Sequence, residues 1–189
     1  MQKYGANALE LNMSCPHAEG YGLEIGSNDK LVEKITKDVK QKTNIPIFVK
    51  LSPNLTDIVQ IAKAAEKGKA DGIVAINTVK AMKIDIDLKM PVLANKIGGY
   101  SGKAIRPIGV RCVYEISKNV KIPVIGLGGI TTGEDVLEYL MAGASAVQIG
   151  SGIYYRGIDI FRDINNEIKQ WMKKNGYNNL SKLIGVANK

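Results

Sequence analysis

The sequence predicts an α/β protein in which helices cover a parallel β-sheet. Short runs rich in valine, isoleucine and leucine alternate with longer stretches that have helical periodicity. The short runs are almost continuously apolar, which is typical of strands buried on both faces in a parallel sheet. Five strand–helix units follow one another without a linker or low-complexity tract, so we interpret residues 1–189 as one domain.

The predicted strands and helices alternate regularly along the chain. Strands are predicted at 8–13, 45–51, 72–77, 122–127 and 146–150. Helices are predicted at 29–43, 56–68, 105–119, 133–142 and 158–174. This alternation predicts a parallel sheet covered by helices.

The first two helices carry the clearest periodic signal. Leu31, Ile35 and Val39 have the spacing of a single apolar helix face, and 58–65 repeats that pattern. Thr56 and Asp57 are candidate N-caps for the second helix, and Gly68 is a candidate terminator.

Two segments interrupt the regular order. Residues 79–104 are long enough to form a functional loop after the third strand, and 84–95 within them could form a small hairpin. The tail, 176–189, is predicted to form a short helix that closes one end of the fold.

Composition limits the possible functions. The net charge is +8, but the lysines are spread over many predicted helices without interleaved aromatic residues, so we do not expect nucleic-acid binding. No apolar run is long enough to cross a membrane, and the first residues lack the apolar segment of a signal peptide. We therefore expect a cytoplasmic protein in which Cys15 and Cys112 stay reduced.

Polar residues and glycines follow every predicted strand. They are Asn12, Ser14 and Cys15; Lys50, Ser52 and Asn54; Asn77 and Thr78; Gly128 and Gly129; and Gly150 and Ser151. Functional sites of parallel β/α folds lie at the carboxyl ends of the strands. The sequence therefore predicts one site built from all five strand ends.

Glycines and a lysine indicate an anionic ligand at this site. Gly128-Gly129 and Gly150 each follow a strand and precede a predicted helix, where backbone N–H groups can approach a phosphate. Tight turns are the simpler alternative. Lys50 lies in an apolar run, where its ammonium needs a partner such as an anion or an electron-rich ring, unless it extends to solvent. Asn12, Asn77 and Thr78 suit a planar ligand with ring N–H and C=O groups, although amides satisfied within the structure are the alternative.

Cys15 is the candidate reactive residue. It could act as a nucleophile or a base, or be a small buried hydrophobic residue. A metal site is not expected, since one cysteine and the nearby His17 are too few ligands for zinc. Cys15 and His17 also lie too close in sequence for a good hydrolase pair. Cys112 lies in a predicted helix and is expected in the core.

Five ordered motifs resemble a known family. They are NMSCP at 12–16, VKLSPNLTDI at 49–58, AINT at 75–78, PVLANKIGGYSGKAIRPI at 91–108 and GLGGITTGEDVLEYLMAGASAVQIG at 126–150. Together they resemble class 1 dihydroorotate dehydrogenase, most closely its B type. The resemblance implies an FMN-binding (β/α)8 TIM barrel of the FMN-linked oxidoreductase type, which oxidises dihydroorotate to orotate in pyrimidine biosynthesis.

The resemblance assigns roles to the residues at the strand ends. Cys15 would be the catalytic base that takes a proton from C5 of the substrate while C6 passes a hydride to flavin N5. The implied flavin contacts are Asn12, Lys50, Ile76, Gly102, Gly128, Gly129, Gly150 and Ser151. The implied contacts to the substrate ring are Asn12, Asn77 and Thr78.

The B type also implies partners. Electrons would leave FMN through a subunit carrying FAD and an iron–sulfur cluster and reach NAD, in a homodimer or heterotetramer. His17 departs from the asparagine usual in the family and resembles the flavin domain of dihydropyrimidine dehydrogenase. Action on uracil or thymine is therefore an alternative.

The number of β/α units is the second departure, because a full barrel has eight and this sequence offers five. We therefore expect a partial barrel corresponding to the C-terminal part of the family's fold, either as a fragment or as one half of a split enzyme. An inactive flavin-binding fragment is a further alternative.

Overall fold

The computed structural model describes residues 1–14 and 23–189. The strands are β1 (Leu9–Asn12), β2 (Ile47–Leu51), β3 (Gly72–Ala75), β4 (Val79–Ala81), β5 (Ile84–Asp85), β6 (Met90–Pro91), β7 (Gly98–Tyr100), β8 (Val124–Leu127) and β9 (Ala146–Gln148). The helices are α1 (Leu23–Gly26), α2 (Asp29–Lys40), α3 (Ile58–Lys67), α4 (Arg106–Ser117), α5 (Gly133–Met141), α6 (Ser151–Arg156) and α7 (Ile160–Lys174).

A five-stranded parallel sheet organises these elements. Its strand order is β1-β2-β3-β8-β9, so each strand of this sheet pairs with the next one along the chain. Helices α2, α3, α4, α5 and α7 follow the five strands in turn. The prediction of an α/β fold with five β/α units is thereby confirmed.

The sheet is strongly curled. In a flat sheet β1 and β9 would lie about 19 Å apart, given about 4.8 Å between neighbouring strands. Instead Gln148 Nε2 on β9 donates to Glu10 Oε2 on β1 at 2.7 Å. The two side chains meet across the concave face, so the sheet forms part of a barrel wall.

The two faces of the sheet differ in the way expected for a barrel. On β2, Ile47, Val49 and Leu51 are buried under the helices, whereas Phe48 and Lys50 alternate with them and are half-buried on the concave face. Val74 pairs with Lys50 on one side and Ile125 on the other, so both of these apolar side chains share the concave face.

Helix α2 differs from the predicted face. Its buried residues are Val32 and Thr36, with Ile35 packed partly against the core, while Leu31 is exposed. The Thr36 hydroxyl donates to the Val32 carbonyl at 2.7 Å and so needs no solvent. The buried face is therefore displaced by about one residue from the predicted face, because apolar spacing alone does not identify a threonine as a core residue.

Helix α3 follows the prediction more closely. Ile58 and Ile61 are buried in its core-facing side. Asp57 is the N-cap, and its carboxylate accepts from the backbone N–H groups of Val59 and Gln60 at 2.9 and 3.0 Å. Gly68 is the C-cap.

The segment 79–104 contains two short antiparallel strand pairs. β5 pairs with β6, which confirms the predicted small hairpin. Outside it, β4 pairs with β7, a pairing the sequence did not predict. A 3-10 turn at Lys103–Ile105 then leads into α4.

The tail forms 3-10 turns at Leu180–Lys182 and Val186–Asn188. Leu183 between them is fully buried, and Gly185 N–H donates to the Leu140 carbonyl at 2.9 Å. The tail thus packs over the end of α5. Across 1–14 and 23–189, no helix combines the length and apolarity needed to cross a bilayer.

Candidate active site

A cavity of about 390 Å³ opens at the carboxyl edge of the parallel sheet. It is lined by Lys50, Ile76, Asn77, Thr78, Ser101, Gly102, Ile105, Leu127, Gly128, Gly129, Ile130, Gln148, Ile149, Gly150 and Ser151. The lining comes from the ends of β2, β3, β8 and β9 and from the segment before α4. This is where parallel β/α folds place their sites.

The cavity brings together most residues predicted for the site. Its lining includes the predicted Lys50, Ile76, Asn77, Thr78, Gly102, Gly128, Gly129, Gly150 and Ser151. Asn12 adjoins it, since its Oδ1 accepts from Asn77 Nδ2 at 3.3 Å. Cys15 and His17 lie outside the described residues.

Lys50 has an acidic partner on the neighbouring strand. Its Nζ lies 3.3 Å from Glu10 Oε1, and its side chain is 19% exposed. The ammonium therefore faces the concave side and is only partly shielded from solvent. An ammonium offers three donors, so Glu10 leaves capacity for a ligand in the cavity.

Asparagine and serine side chains form a connected cluster beside the lysine. Ser14 Oγ donates to Asn12 Oδ1 at 2.6 Å and accepts from Asn77 Nδ2 at 2.6 Å. The Ser14 N–H also donates to Asn12 Oδ1, at 3.1 Å. These bonds fix Ser14, which is 2% exposed, at the point where the chain leaves β1.

A second polar link holds Thr78. Asn54 Nδ2 donates to the Thr78 carbonyl at 3.1 Å, and the Thr78 N–H donates to Asn77 Oδ1 at 2.8 Å. Ser52 Oγ accepts from Asn54 Nδ2 at 2.9 Å. The ends of β2 and β3 are thus tied together, with Thr78 in the cavity wall.

The turn Gly128-Gly129 requires glycine. Its φ angles are +131° and +71°, a region that residues with a Cβ rarely adopt. A Cβ on Gly129 would lie 2.7 Å from the Gly102 carbonyl oxygen. The absence of side chains lets two segments of the cavity wall approach each other closely.

Tyr139 supports this turn from the core. Its hydroxyl donates to the Gly128 carbonyl at 2.8 Å, and the residue is fully buried. Burial raises the pKa of the Tyr139 hydroxyl well above its usual value, so it stays a protonated donor. Gly126 and Gly109 leave room for the ring and its hydroxyl, since a Cβ on either would lie within 2.5 Å of Tyr139 atoms.

Asp135 holds the next part of the loop. Its carboxylate accepts from Thr131 N, Thr131 Oγ1 and Thr132 N at 2.8, 3.0 and 3.0 Å, and it pairs with Arg106. Burial alone would raise the pKa of Asp135, but these hydrogen bonds and the guanidinium together hold it below the usual value. Thr132 and Asp135 also form a reciprocal capping box that starts α5.

Arg156 links this loop to α7. Its Nη1 donates to the Thr131 carbonyl at 2.6 Å, and its Nη2 donates to Glu167 Oε1 at 2.8 Å. Glu167 Oε2 in turn accepts from the Gly133 N–H at 2.5 Å. The loop 128–133 is therefore fixed by charged side chains on its side away from the cavity.

The second glycine loop is more open. Gly150 precedes α6, and a Cβ placed there would meet nothing within 4 Å. Gly152 is crowded, since its Cβ would lie 2.5 Å from the Ile130 carbonyl oxygen. The backbone around Gly150 therefore faces free space at the cavity, while Gly152 packs it against the first loop.

Six lining residues were not predicted. They are Ser101, Ile105, Leu127, Ile130, Gln148 and Ile149. Leu127 and Gln148 could have been found by alternation along their strands, since they pair across β8 and β9. Ser101 and Ile105 come from the irregular segment before α4, where no periodicity applies.

The remaining cysteine has no place in the cavity wall. Cys112 is fully buried in the core on α4, as predicted. Burial raises the pKa of its thiol to about 11. In the part of the chain that the structure describes, no three metal-ligating side chains are grouped for an ion.

Comparison with known proteins decides the family. The family model for dihydroorotate dehydrogenase matches residues 1–172. The chain belongs to the dihydroorotate dehydrogenase family. This membership agrees with the resemblance of the five motifs and with a barrel fold.

Named relatives of this family are similar over nearly the whole chain. The chain is 55% identical over 187 residues to a Thermoplasma acidophilum protein named dihydroorotate dehydrogenase B (NAD(+)), catalytic subunit. It is 52% identical over 182 residues to the Pyrococcus horikoshii protein of that name. These alignments cover 99% and 96% of this chain but 62% and 60% of the relatives.

A solved structure shares the fold. A dihydroorotate dehydrogenase from Eimeria tenella, crystallised with ferulenol, superimposes with a TM-score of 0.81 at 25% identity. The match covers 97% of this chain and 55% of that one. The chain thus spans about three fifths of the length of the curated relatives and folds as part of the family's barrel.

Proposed function

We propose that the protein is the FMN-binding catalytic subunit of a B-type dihydroorotate dehydrogenase, oxidising dihydroorotate to orotate. The observation that carries the proposal is the single cavity in which Lys50, Asn77 and two glycine loops meet at the strand ends. The printed names of the Thermoplasma and Pyrococcus relatives support the same activity. The chain covers about three fifths of the length of those relatives, so the activity of the whole protein is stated as a proposal.

The residues present fit a flavin mononucleotide. Gly128, Gly129 and Gly150 give backbone that can approach a phosphate, and Gly150 faces open space. Ile76, Ile105 and Leu127 supply apolar walls for a planar ring. In this proposal Gly102 and Ser151 contribute further contacts to the cofactor, and Asn12 adjoins it.

Lys50 supplies positive charge to the ring. Bound FMN would accept a hydride from the substrate, which adds negative charge to the ring system. A lysine ammonium near the ring favours that charge, and Glu10 keeps the ammonium on the concave face. Lys50 is therefore assigned to the flavin rather than to the substrate.

The asparagine cluster is assigned to the pyrimidine ring. Asn12, Asn77 and Thr78 offer neutral donors and acceptors of the kind that match ring N–H and C=O groups. The hydrogen bonds of Asn12 and Asn77 to Ser14 hold the residue immediately before Cys15. We propose Cys15 as the base that removes the proton from C5, in accordance with the resemblance of NMSCP to the family motif.

Substitution of Cys15 tests its proposed role as the catalytic base. Cys15→Ala should abolish formation of orotate and leave FMN affinity nearly unchanged. Cys112→Ala is the matched control, because that thiol is buried away from the cavity, and it should retain turnover. Full activity of Cys15→Ala would refute the role of the base.

The substrate test separates two pyrimidine reactions. Dihydroorotate should reduce the bound flavin, whereas uracil supplied with a reduced nicotinamide cofactor should give no turnover. The reverse result would favour the dihydropyrimidine dehydrogenase alternative that His17 suggested. Flavin binding without reaction of either substrate would favour an inactive flavin-binding fragment.

We also propose protein partners. The relatives' names, which specify NAD(+) and a catalytic subunit, support a second subunit. That this subunit carries FAD and an iron–sulfur cluster is proposed from the resemblance to the B type. The names do not bear on the location of the protein, and the cytoplasm stays a prediction from sequence.

An exposed apolar surface on 82–97 supports self-association into a homodimer within that assembly. Its exposed side chains are Met82, Ile84, Ile86, Leu88, Met90, Val92, Leu93 and Ile97. Ile86 is 82% exposed, and a patch of this kind favours burial against another surface. Ile86→Lys should therefore lower the mass seen by sedimentation. Tyr4→Lys, at another exposed apolar site, should not change it.

A further inference from the structure

Glu10 is the one carboxylate that contacts two side chains of the cavity wall among the described residues. Its Oε1 lies 3.3 Å from Lys50 Nζ, and its Oε2 accepts from Gln148 Nε2 at 2.7 Å. Lys50 and Gln148 come from strands on different sides of the cavity. Glu10 therefore links Lys50 and Gln148 through its two carboxylate oxygens on the concave face of the sheet.

The position of Glu10 is set by the register of β1 and β2. Asn12 pairs with Lys50, and Glu10 pairs with Phe48, two residues further from the carboxyl edge. Residues two apart on a strand point to the same face. Glu10 thus lies one inward-facing position below Lys50, and the lysine side chain turns back towards it.

The Glu10 carboxylate has two side-chain partners although the residue is exposed. Its side chain is 31% exposed, and its neighbours on the concave face include Phe48. The ammonium and the amide together satisfy both carboxylate oxygens. Lys50 alone would neutralise the charge of Glu10. The additional hydrogen bond from Gln148 therefore indicates that the Glu10 side chain is held in one position between β2 and β9.

We propose that Glu10 is a positioning residue that anchors the Lys50 ammonium and thereby sets the reduction potential of the bound flavin. This inference rests on the proposed function. The anchored ammonium is held towards the cavity floor and its charge is partly offset by the carboxylate. Release of the ammonium would let it approach the ring and favour the reduced, negatively charged flavin more strongly.

The test is the reduction potential of FMN bound to the protein. Glu10→Gln keeps the shape of the side chain but removes its charge and replaces one acceptor oxygen by an NH2 donor. We expect the equilibrium between reduced and oxidised flavin to shift about tenfold towards the reduced form, which is about 30 mV for a two-electron couple. Glu10→Asp retains the charge, so its reduction potential should stay nearer to that of the wild type.

Two further variants make the result specific. Glu33→Gln removes a carboxylate that pairs with the exposed Lys67 at 2.8 Å outside the cavity wall, and it should leave the potential unchanged. In a Lys50→Gln background, Glu10→Gln should have almost no effect, because the residue through which it acts is gone. Flavin occupancy, read from absorbance, verifies that each variant is folded.

The outcomes distinguish the inference from the proposed function. An unchanged or lowered potential in Glu10→Gln, with flavin bound, would overturn the inference and leave the proposed function standing. An equal shift with and without Lys50 would also overturn it, since Glu10 would then act directly on the ring. A wild-type protein that binds no flavin would overturn both.

Discussion

The hydroxyl of Tyr139 is expected to hold the Gly128-Gly129 turn in place. It donates to the Gly128 carbonyl at 2.8 Å from a fully buried ring. In Tyr139→Phe the ring and its packing against Gly126 remain, while the buried carbonyl loses its donor. The variant therefore isolates one hydrogen bond beneath the proposed phosphate loop.

The size of the effect follows from burial. Leaving a buried acceptor without its donor costs about 1–3 kcal/mol, so we expect the free energy of unfolding to fall by about 2 kcal/mol. For a protein of this size that corresponds to a decrease in Tm of roughly 4–8 °C. Because the turn lines the cavity, FMN affinity should fall as well.

Urea unfolding and FMN titration measure the two effects on the same preparation. Tyr114→Phe is the matched control, because its hydroxyl accepts only an exposed contact from Lys118 at 3.2 Å. The free energy of unfolding of this control should stay within about 0.5 kcal/mol of the wild-type value, as it does for most surface substitutions. If Tyr139→Phe behaved like the control in both assays, the turn would not depend on this hydroxyl.

Three further results are expected. Gly129→Ala should weaken FMN binding at least tenfold, because the new Cβ would lie 2.7 Å from the Gly102 carbonyl oxygen at a φ of +71°; Gly176→Ala, with φ +74° and open space, should destabilise the fold and spare FMN affinity. Asp135 has a folded-state pKa below its unfolded value, so its stabilisation is present above about pH 4 and is lost as the pH falls through the folded-state pKa. Asp135→Asn should thus have a lower free energy of unfolding than the wild type at pH 7, and that free energy should depend less on pH in the acid range. Parallel curves of unfolding free energy against pH would contradict this. The Cys112 thiol, with a pKa of about 11, should resist iodoacetamide at pH 8 until urea unfolds the protein, as peptide mass spectrometry would detect.

The regular part of the fold could be predicted from sequence because its strands are short, largely apolar runs that alternate with helices of clear periodicity. Ile47–Leu51 is apolar except for Lys50, and Asp57 and Gly68 mark the ends of α3 with ordinary capping chemistry. The phase of α2 was wrong because Thr36 satisfies its hydroxyl within the helix and is buried, whereas Leu31 is not. Local periodicity does not contain that information.

The irregular part depended on contacts distant in sequence. β7 begins with Gly98-Gly99, and glycine is a poor strand former, so its pairing with β4 had no local signal. Gly99 fits there because a Cβ would lie 2.2 Å from Thr78 Oγ1. Such a restriction becomes visible only when the two segments are placed together.

The candidate site was predictable where strand ends carry polar residues and glycines. The ends of β2, β3 and β8 follow this rule, and their residues meet in one cavity. The partners of those residues were not predictable in the same way. Glu10 lies in the middle of an apparent strand, and its contact with Gln148 spans 138 positions of sequence.

The central claim is that the cavity binds FMN and that dihydroorotate reduces it. The most direct measurement is the visible absorption spectrum of the purified protein with FMN, recorded before and after anaerobic addition of dihydroorotate. We expect the spectrum of protein-bound flavin, and we expect it to bleach when dihydroorotate is added. A protein that leaves FMN free, or that holds an FMN which dihydroorotate does not bleach, would contradict this proposal.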